Sequence, residues 1–169
     1  MKSSRSVDPV HVTLASPIGP LTLVADDGHL TGLYMHEQRH RPADHRFGRP
    51  GDPAHQPFAS AAAQLTAYFA GKLTQFDLPL APAGTEFQRR VWSALRLIPY
   101  GQTWSYGQLA REVGSVSASR AVGLANGKNP IALIIPCHRV IGSDGSLTGY
   151  GGGLDRKRFL LALETSAAG

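Results

Sequence analysis

Cysteine is nearly absent: the 169-residue chain contains one, Cys137. A single thiol excludes an internal disulfide and a cysteine-rich metal site, and it fits a reducing compartment. No apolar run approaches the ~20 residues that span a bilayer, and the opening MKSSRSVDPVHV lacks the apolar stretch of a secretory leader. The expectation is a cytoplasmic protein with no membrane contact. Acidic residues are also scarce, 12 Asp and Glu against 17 Lys and Arg, and the shortage is local. Residues 1–80 hold seven of each sign, whereas residues 81–169 hold ten basic and five acidic residues, so the formal excess of +5 lies wholly in the second half, with Cys137. A basic half-chain suits a polyanionic partner, nucleic acid above all, or else simply a solvated surface. Hydrophobic residues, 42% of the chain, suffice for one sizeable core or two small domains.

The first third reads as strands. Residues 10–17, 19–28 and 29–37 alternate apolar with polar side chains, and Asp26-Asp27-Gly28 marks a hairpin turn. Residues 38–56, rich in His, Arg, Pro, Asp and Gly, read as a loop. His36, His40, His45 and His55 lack regular ligand spacing and any thiolate helper, so no metal is expected there. Residues 57–73 form a helix on the spacing of Phe58, Leu65, Tyr68 and Phe69, closed by Gly71. FDLPL at 76–80 reads as a short strand, and residues 81–85 as a linker between an N-terminal domain (1–80) and a C-terminal one (86–169).

The second half changes character. Thr85 with Gln88, and Ser105 with Gln108, are capping-box pairs that open two helices. Phe87, Val91, Leu95 and Ile98 make the buried stripe of the first, and the second ends at Gly114. A third helix over 117–127, capped by Ser117, follows after about three residues, which resembles a helix-turn-helix. It carries Ser119, Ala121 and Gly123 with Arg120 as its long basic side chain. That is too little hydrogen-bonding capacity to read bases in a major groove. A slim helix can enter a narrow groove and bind shape, or it can pack closely on a neighbour. PIALIIP (130–136) reads as a buried extended segment, 142–153 as a glycine-rich loop, and 154–164 as a last helix with Leu154, Phe159, Leu160 and Leu163 inward.

A lone cysteine is most often a small buried hydrophobe. Here Pro136 interrupts the apolar run and His138 and Arg139 follow at once, the polar and basic company that favours a thiolate. Adjacent residues on an extended strand point to opposite faces. His138 therefore serves Cys137 only if the backbone bends, or if a water bridges them. A third group should hold the imidazole, and Glu164 is the candidate among the three acids downstream.

The segments TEFQRRVW, IPYGQTWSYGQLA, ASRAVGLANGKNP and IPCHRVIGSDGSLTGYGGG together resemble the O6-alkylguanine-DNA alkyltransferase family. The resemblance runs nearly without break from Thr85 to Glu164 and extends more weakly through SPIGPLTL and the helix at 57–71. It implies an α/β chain of two domains, a ribonuclease H-like N-terminal domain and a mostly helical, winged-helix-like C-terminal domain with a helix-turn-helix. It implies minor-groove binding of double-stranded DNA, flipping of an O6-alkylguanine, and single-turnover transfer of the alkyl group to the protein, with O4-alkylthymine a second candidate substrate. No cofactor and no metal is implied, and the protein is expected to act as a monomer, with room for cooperative binding along DNA. By resemblance, Cys137 is the acceptor, His138 the base acting through water, and Glu164 its orienter. Tyr106 protonates guanine N3, and Asn129 ties the recognition helix to the active-site turn. Arg120 enters the base stack from a helix face that includes Ser119, Ala121 and Gly123. Pro136, Val140, Tyr150 and Gly151 line the base pocket. Gly151 stands where some members have serine, whose backbone amide alone would suffice. Trp104 and Lys157 receive no role.

The chemistry stands without the resemblance. A thiolate suits displacement at an sp³ carbon when the leaving oxygen is stabilised by protonation. The thioether product has no carbonyl for water to attack, so one cysteine means one turnover. Three other readings share some of these features. A helix-turn-helix regulator with a cysteine sensor would need base-reading side chains. A cysteine hydrolase would have no use for the basic half. A non-transferring lesion binder would lack Cys137.

Overall fold

The computed structural model describes residues 8–168. Residues 1–7 and Gly169, the outer ends of the two predicted domains and most of the opening stretch, lie outside them. Strands β1 (Val10–Leu14), β2 (Leu21–Asp26) and β3 (His29–Met35) form where apolar and polar residues alternate. They pair antiparallel in sequence, Val12 opposite Leu23 and Leu23 opposite Leu33, so one face carries a continuous apolar stripe. Asp27 and Gly28 make the β2–β3 turn with φ of 54° and 76°, the left-handed pair that matches strand twist. The predicted loop 38–56 is more ordered than its composition suggests. It contains a 3-10 turn, Asp44–Phe47, and a two-residue strand, β4 (Arg49–Pro50), parallel to β1. Phe47 explains this: it is buried and stacks on Tyr34 of β3 with ring centroids 5.3 Å apart, which pulls the loop back onto the sheet. The sheet order is β3-β2-β1-β4.

Helix α1 (Phe58–Phe69) buries Phe58, Ala61, Leu65 and Tyr68 at helical spacing. Residues 76–80 do not form the expected strand. Only Leu80 bridges Leu30 on β3, because Ile131 takes the rest of that edge through its bridge to Leu33.

In the second half α2 (Glu86–Leu95) and α3 (Tyr106–Glu112) both open on the expected capping boxes. The Gln88 and Gln108 amides donate to the Thr85 and Ser105 hydroxyls at 3.1 Å, and the glutamine side chains accept from the cap amides at 3.0 and 2.7 Å. The turn to α4 (Ser119–Gly127) is longer than expected, residues 113–118, and contains a 3-10 turn at Val116–Ala118. Ser117 lies inside that turn and is not the cap; the cap position is Ala118, which makes no side-chain bond. Trp92 of α2 donates its indole N–H to the Ala125 carbonyl at 2.8 Å and fixes α4 on α2. Two short strands, β5 (Trp104–Ser105) and β6 (Val140–Ile141), pair in parallel and bring the start of α3 beside the residues that follow Cys137.

Every residue from Ile131 to Val140 is buried, as the apolar run predicts, but residues 131–135 are not extended. The Ile135 amide donates to the Ile131 carbonyl at 3.0 Å, and Leu133 sits at φ 73°, a conformation leucine adopts only when packing imposes it. Helix α5 (Leu154–Ala168) also differs from expectation. Leu154 and Phe159 are exposed, and the inward face carries Leu160 with Lys157 and Glu164, while Leu163 is half-buried. These charged side chains displace apolar ones because each finds fixed partners in the interior.

No described helix is long and apolar enough to cross a membrane. One hydrophobic core runs through both halves, from Leu23 and Leu33 to Leu109, Val122 and Leu160. Replacing Ser105 by Ala should cost about 1 kcal/mol of stability by freeing an α3 amide, and urea denaturation with unchanged m-value checks it.

Candidate active site

Pro136 ends the turn of residues 131–135, and Cys137–Arg139 form one turn of 3-10 helix. This is the bend the sequence requires. Successive side chains on such a turn diverge by about 120° rather than 180°, so thiol and imidazole share a neighbourhood. Cys137 is 7% exposed and His138 fully buried.

Glu164, one turn of α5 beyond Leu160, collects the polar side chains around it. Its Oε2 accepts from His138 Nε2 at 2.8 Å, from the Tyr68 hydroxyl at 2.6 Å and from Arg139 at 3.0 Å. Its Oε1 accepts from Arg139 Nε at 2.7 Å, so arginine and carboxylate meet as a fork. Arg139 donates further to the Ile98 carbonyl at 2.8 Å and lies over the Tyr100 ring at 5.6 Å. Burial alone would raise the Glu164 carboxyl, but the hydrogen bonds and charges of His138 and Arg139 outweigh it and hold the group at about 2. The carboxylate is therefore ionised and can only accept, so His138 Nε2 carries the proton. His138 Nδ1 is buried and has no hydrogen-bond partner among the described residues. Burial lowers the proton affinity of the ring, with Glu164 opposing, so the imidazole is neutral and its free nitrogen is a base.

Burial raises the Cys137 thiol above its ordinary value, while Asn129 and Lys157 draw it back. Asn129 donates from Nδ2 to the Ile135 carbonyl at 2.8 Å and accepts at Oδ1 from the Ile131 amide at 3.0 Å. It pins both ends of the strained turn that presents the thiol. Lys157 is fully buried and donates to the carbonyls of Val140 at 2.6 Å and Thr148 at 2.9 Å. Thr148 also accepts from the Tyr106 hydroxyl at 3.4 Å. Lys157 thus joins β6, the glycine-rich loop and the start of α3. Tyr150 has a buried hydroxyl without a partner among the described residues, close enough to Cys137 for the thiolate to raise its proton affinity, after burial itself. The Gly151 carbonyl accepts from the Arg39 amide at 2.7 Å, tying the loop to the first half.

Ser119, Arg120 and Ala121 are exposed at the start of α4. A Cβ placed on Gly123 would meet the Tyr106 ring at 3.8 Å, an ordinary contact distance, so Tyr106 lies beside the helix bearing Arg120. Pro136, His138 and Val140 form or flank the Cys137 turn, Asn129 braces it, and Glu164 holds the imidazole. Tyr106 reaches Thr148, Gly151 sits against Arg39, Gly123 faces the Tyr106 ring, and Ser119, Arg120 and Ala121 are exposed. The sequence reading missed Tyr68, Lys157 and the fork of Arg139. Lys157 was legible, because it shares a helix face with Leu160 and Glu164 at three- and four-residue spacing. A buried tyrosine hydroxyl requires a partner, but nothing local says that Tyr68 meets Glu164, 96 residues away.

The mostly helical second half thus presents a buried thiol next to a neutral, carboxylate-held imidazole. Residues 86–166 match the family described as 6-O-methylguanine DNA methyltransferase, DNA binding domain, and residues 10–82 its ribonuclease-like domain. The methylated-DNA–protein-cysteine methyltransferase of Mycolicibacterium paratuberculosis is 59% identical over 90% of both chains. That of Methanosarcina acetivorans is 52% identical over 89% of this chain and 95% of its own. The crystal structure of Mycobacterium tuberculosis OGT in complex with DNA superposes with a TM-score of 0.87 at 57% identity, covering 94% of each chain. The chain belongs to the methylated-DNA–protein-cysteine methyltransferase family.

Two outcomes follow from the Glu164 cluster. Glu164→Gln leaves the Arg139 charge buried without a counter-charge and should cost about 3 kcal/mol or more, measured by denaturant unfolding at pH 7. Acid should destabilise the protein in two stages. The folded state holds His138 neutral, so stability declines as pH falls below the ordinary histidine value of about 6.5. Glu164, held at about 2 in the fold, adds a second loss as pH falls from the ordinary glutamate value of about 4.3. A stability profile that stays flat from pH 7 to 4 contradicts this assignment.

Proposed function

We propose that this chain repairs duplex DNA by moving an alkyl group from guanine O6 to Cys137, once per molecule. The observation that carries this reading is the buried thiol on a 3-10 turn beside a neutral imidazole whose Nδ1 is free and whose Nε2 is held by an ionised carboxylate. His138 Nδ1 takes the thiol proton through a bridging water, and sulfur attacks the alkyl carbon as the carbon–oxygen bond breaks. The electron pair passes into the guanine ring, and Tyr106 supplies a proton at N3. The proton gained by His138 returns through solvent to Tyr106, so charge balances, and the product is a thioether with no route back to thiol.

The flipped base enters between Pro136, Val140, Tyr150 and Gly151. Arg120 fills the gap left in the stack, and the slim face of Ser119, Ala121 and Gly123 lets α4 sit in the minor groove. Flipping costs a few kcal/mol, which the arginine and the pocket offset. Residues 1–80 and 86–169 act as two domains joined by 81–85, the protein binds DNA as a monomer, and O6-alkylguanine is its substrate.

Incubation with a duplex carrying O6-methylguanine should add the mass of one methyl group, one per protein, and none to Cys137→Ser. Multiple turnovers, or an adduct retained in the serine variant, overturn the reading. Arg120→Ala should slow repair of duplex DNA about tenfold or more while leaving reaction with free O6-benzylguanine nearly unchanged. Equal losses on both substrates remove the stacking role.

A further inference from the structure

We propose that Tyr68, a residue of the first half of the chain, is a positioning residue for alkyl transfer: its hydroxyl holds Glu164 and restrains the carboxylate's pull on His138. This rests on the reading of Cys137 as acceptor and His138 as its base. Tyr68 is almost fully buried on α1, and its hydroxyl donates to Glu164 Oε2 at 2.6 Å, the same oxygen that accepts from His138 at 2.8 Å. Two donors on one oxygen compete for its charge. A third, Arg139, adds a bond at 3.0 Å. Charge drawn toward Tyr68 is not available to stabilise a proton on the imidazole, which adds to the burial that keeps His138 neutral and ready to accept. The phenol cannot itself take the role of acid or base, because burial first, and the Glu164 charge next, push its ionisation far out of the working range.

The groups around the His138–Glu164 pair come from every neighbouring element. Glu164 and Lys157 come from α5, Cys137 and Arg139 from its own turn, Tyr68 from α1 and Tyr100 from the segment after α2. Tyr150 faces the same space from the glycine-rich loop. Among these only Tyr68 and Arg139 bond to Glu164 besides His138. Arg139 is indispensable to charge balance. Tyr68 is neutral, so the bond it makes adjusts the site without leaving a buried charge when removed. Its ring packs at 6.3 Å, edge to face, on Tyr100, whose hydroxyl is buried with no partner among the described residues. Tyr100 is thus a natural control: the same chemistry and the same cluster, without the bond.

The test is the pH dependence of methyl transfer by the full-length Tyr68→Phe protein. The acid limb should move up by about half to one pH unit, so that transfer falls about threefold to tenfold near the limb and changes little at pH 8 or above. Affinity for undamaged duplex should be unaltered. Tyr100→Phe should keep the wild-type profile. The imidazole titration of His138, followed by NMR in wild type and in Tyr68→Phe without any substrate, should shift by the same amount. That readout is independent of transfer, so it separates failure of this inference from failure of the acceptor assignment. A loss uniform across pH, an unmoved His138 titration, or an equal shift in Tyr100→Phe overturns the proposal.

Discussion

The buried carboxylate of Glu164 is the interaction on which the rest depends. It sits at the far end of the chain, yet it joins α1, the Cys137 turn and α5 through bonds of 2.6 to 3.0 Å to Tyr68, His138 and Arg139. A lone carboxylate in that position would protonate or unfold the protein. The bonds and charges of His138 and of the Arg139 fork hold it ionised down to about 2, and an ionised carboxylate can only accept. That one constraint fixes the His138 tautomer, leaves the buried Nδ1 bare and makes the imidazole a base. The same bonds clamp the two halves of the chain together, so catalytic geometry and domain arrangement are not separable properties.

The thiol is handled by restraint rather than activation. Burial keeps Cys137 protonated, with Asn129 and Lys157 only moderating this. A permanently ionised thiol would meet any electrophile in solution, and in a protein with a single acceptor each such event is final. In the proposed reaction, a neutral thiol beside a neutral base ionises as the alkyl carbon and the leaving guanine arrive together. The strained Leu133 turn and the two bonds of Asn129 hold the sulfur where that encounter happens. Arg120, by contrast, stands exposed at the start of α4, and in the proposed reading it acts only when a duplex is present.

Much of this was legible in the sequence where the determinants are local. Capping boxes depend on residues three apart, and both were placed correctly at Thr85 and Ser105. The Asp27-Gly28 hairpin and the burial of the run up to Cys137 followed from the same short-range rules. The Cys137, His138 and Glu164 set was found because few acids lie downstream and because the motif resembles a known family. Legibility failed where tertiary contacts overrode local preference. Residues 131–135 read as an extended segment by composition, yet packing bends them through a conformation that leucine disfavours. Leu154 and Phe159 were assigned inward by hydrophobicity, but the inward face belongs to Lys157 and Glu164, whose partners lie on other elements. Phe47 gives order to a loop whose composition promises none, and Tyr68 reaches Glu164 across 96 positions.

Glu164 holds His138 as a neutral base whose Nδ1 has no partner among the described residues. Imidazole nitrogen shifts of the ¹⁵N-labelled, unalkylated protein at pH 7 report this directly. The expected result is a neutral His138 ring protonated at Nε2 with Nδ1 bare. A doubly protonated ring, or a neutral ring carrying its proton on Nδ1, contradicts it.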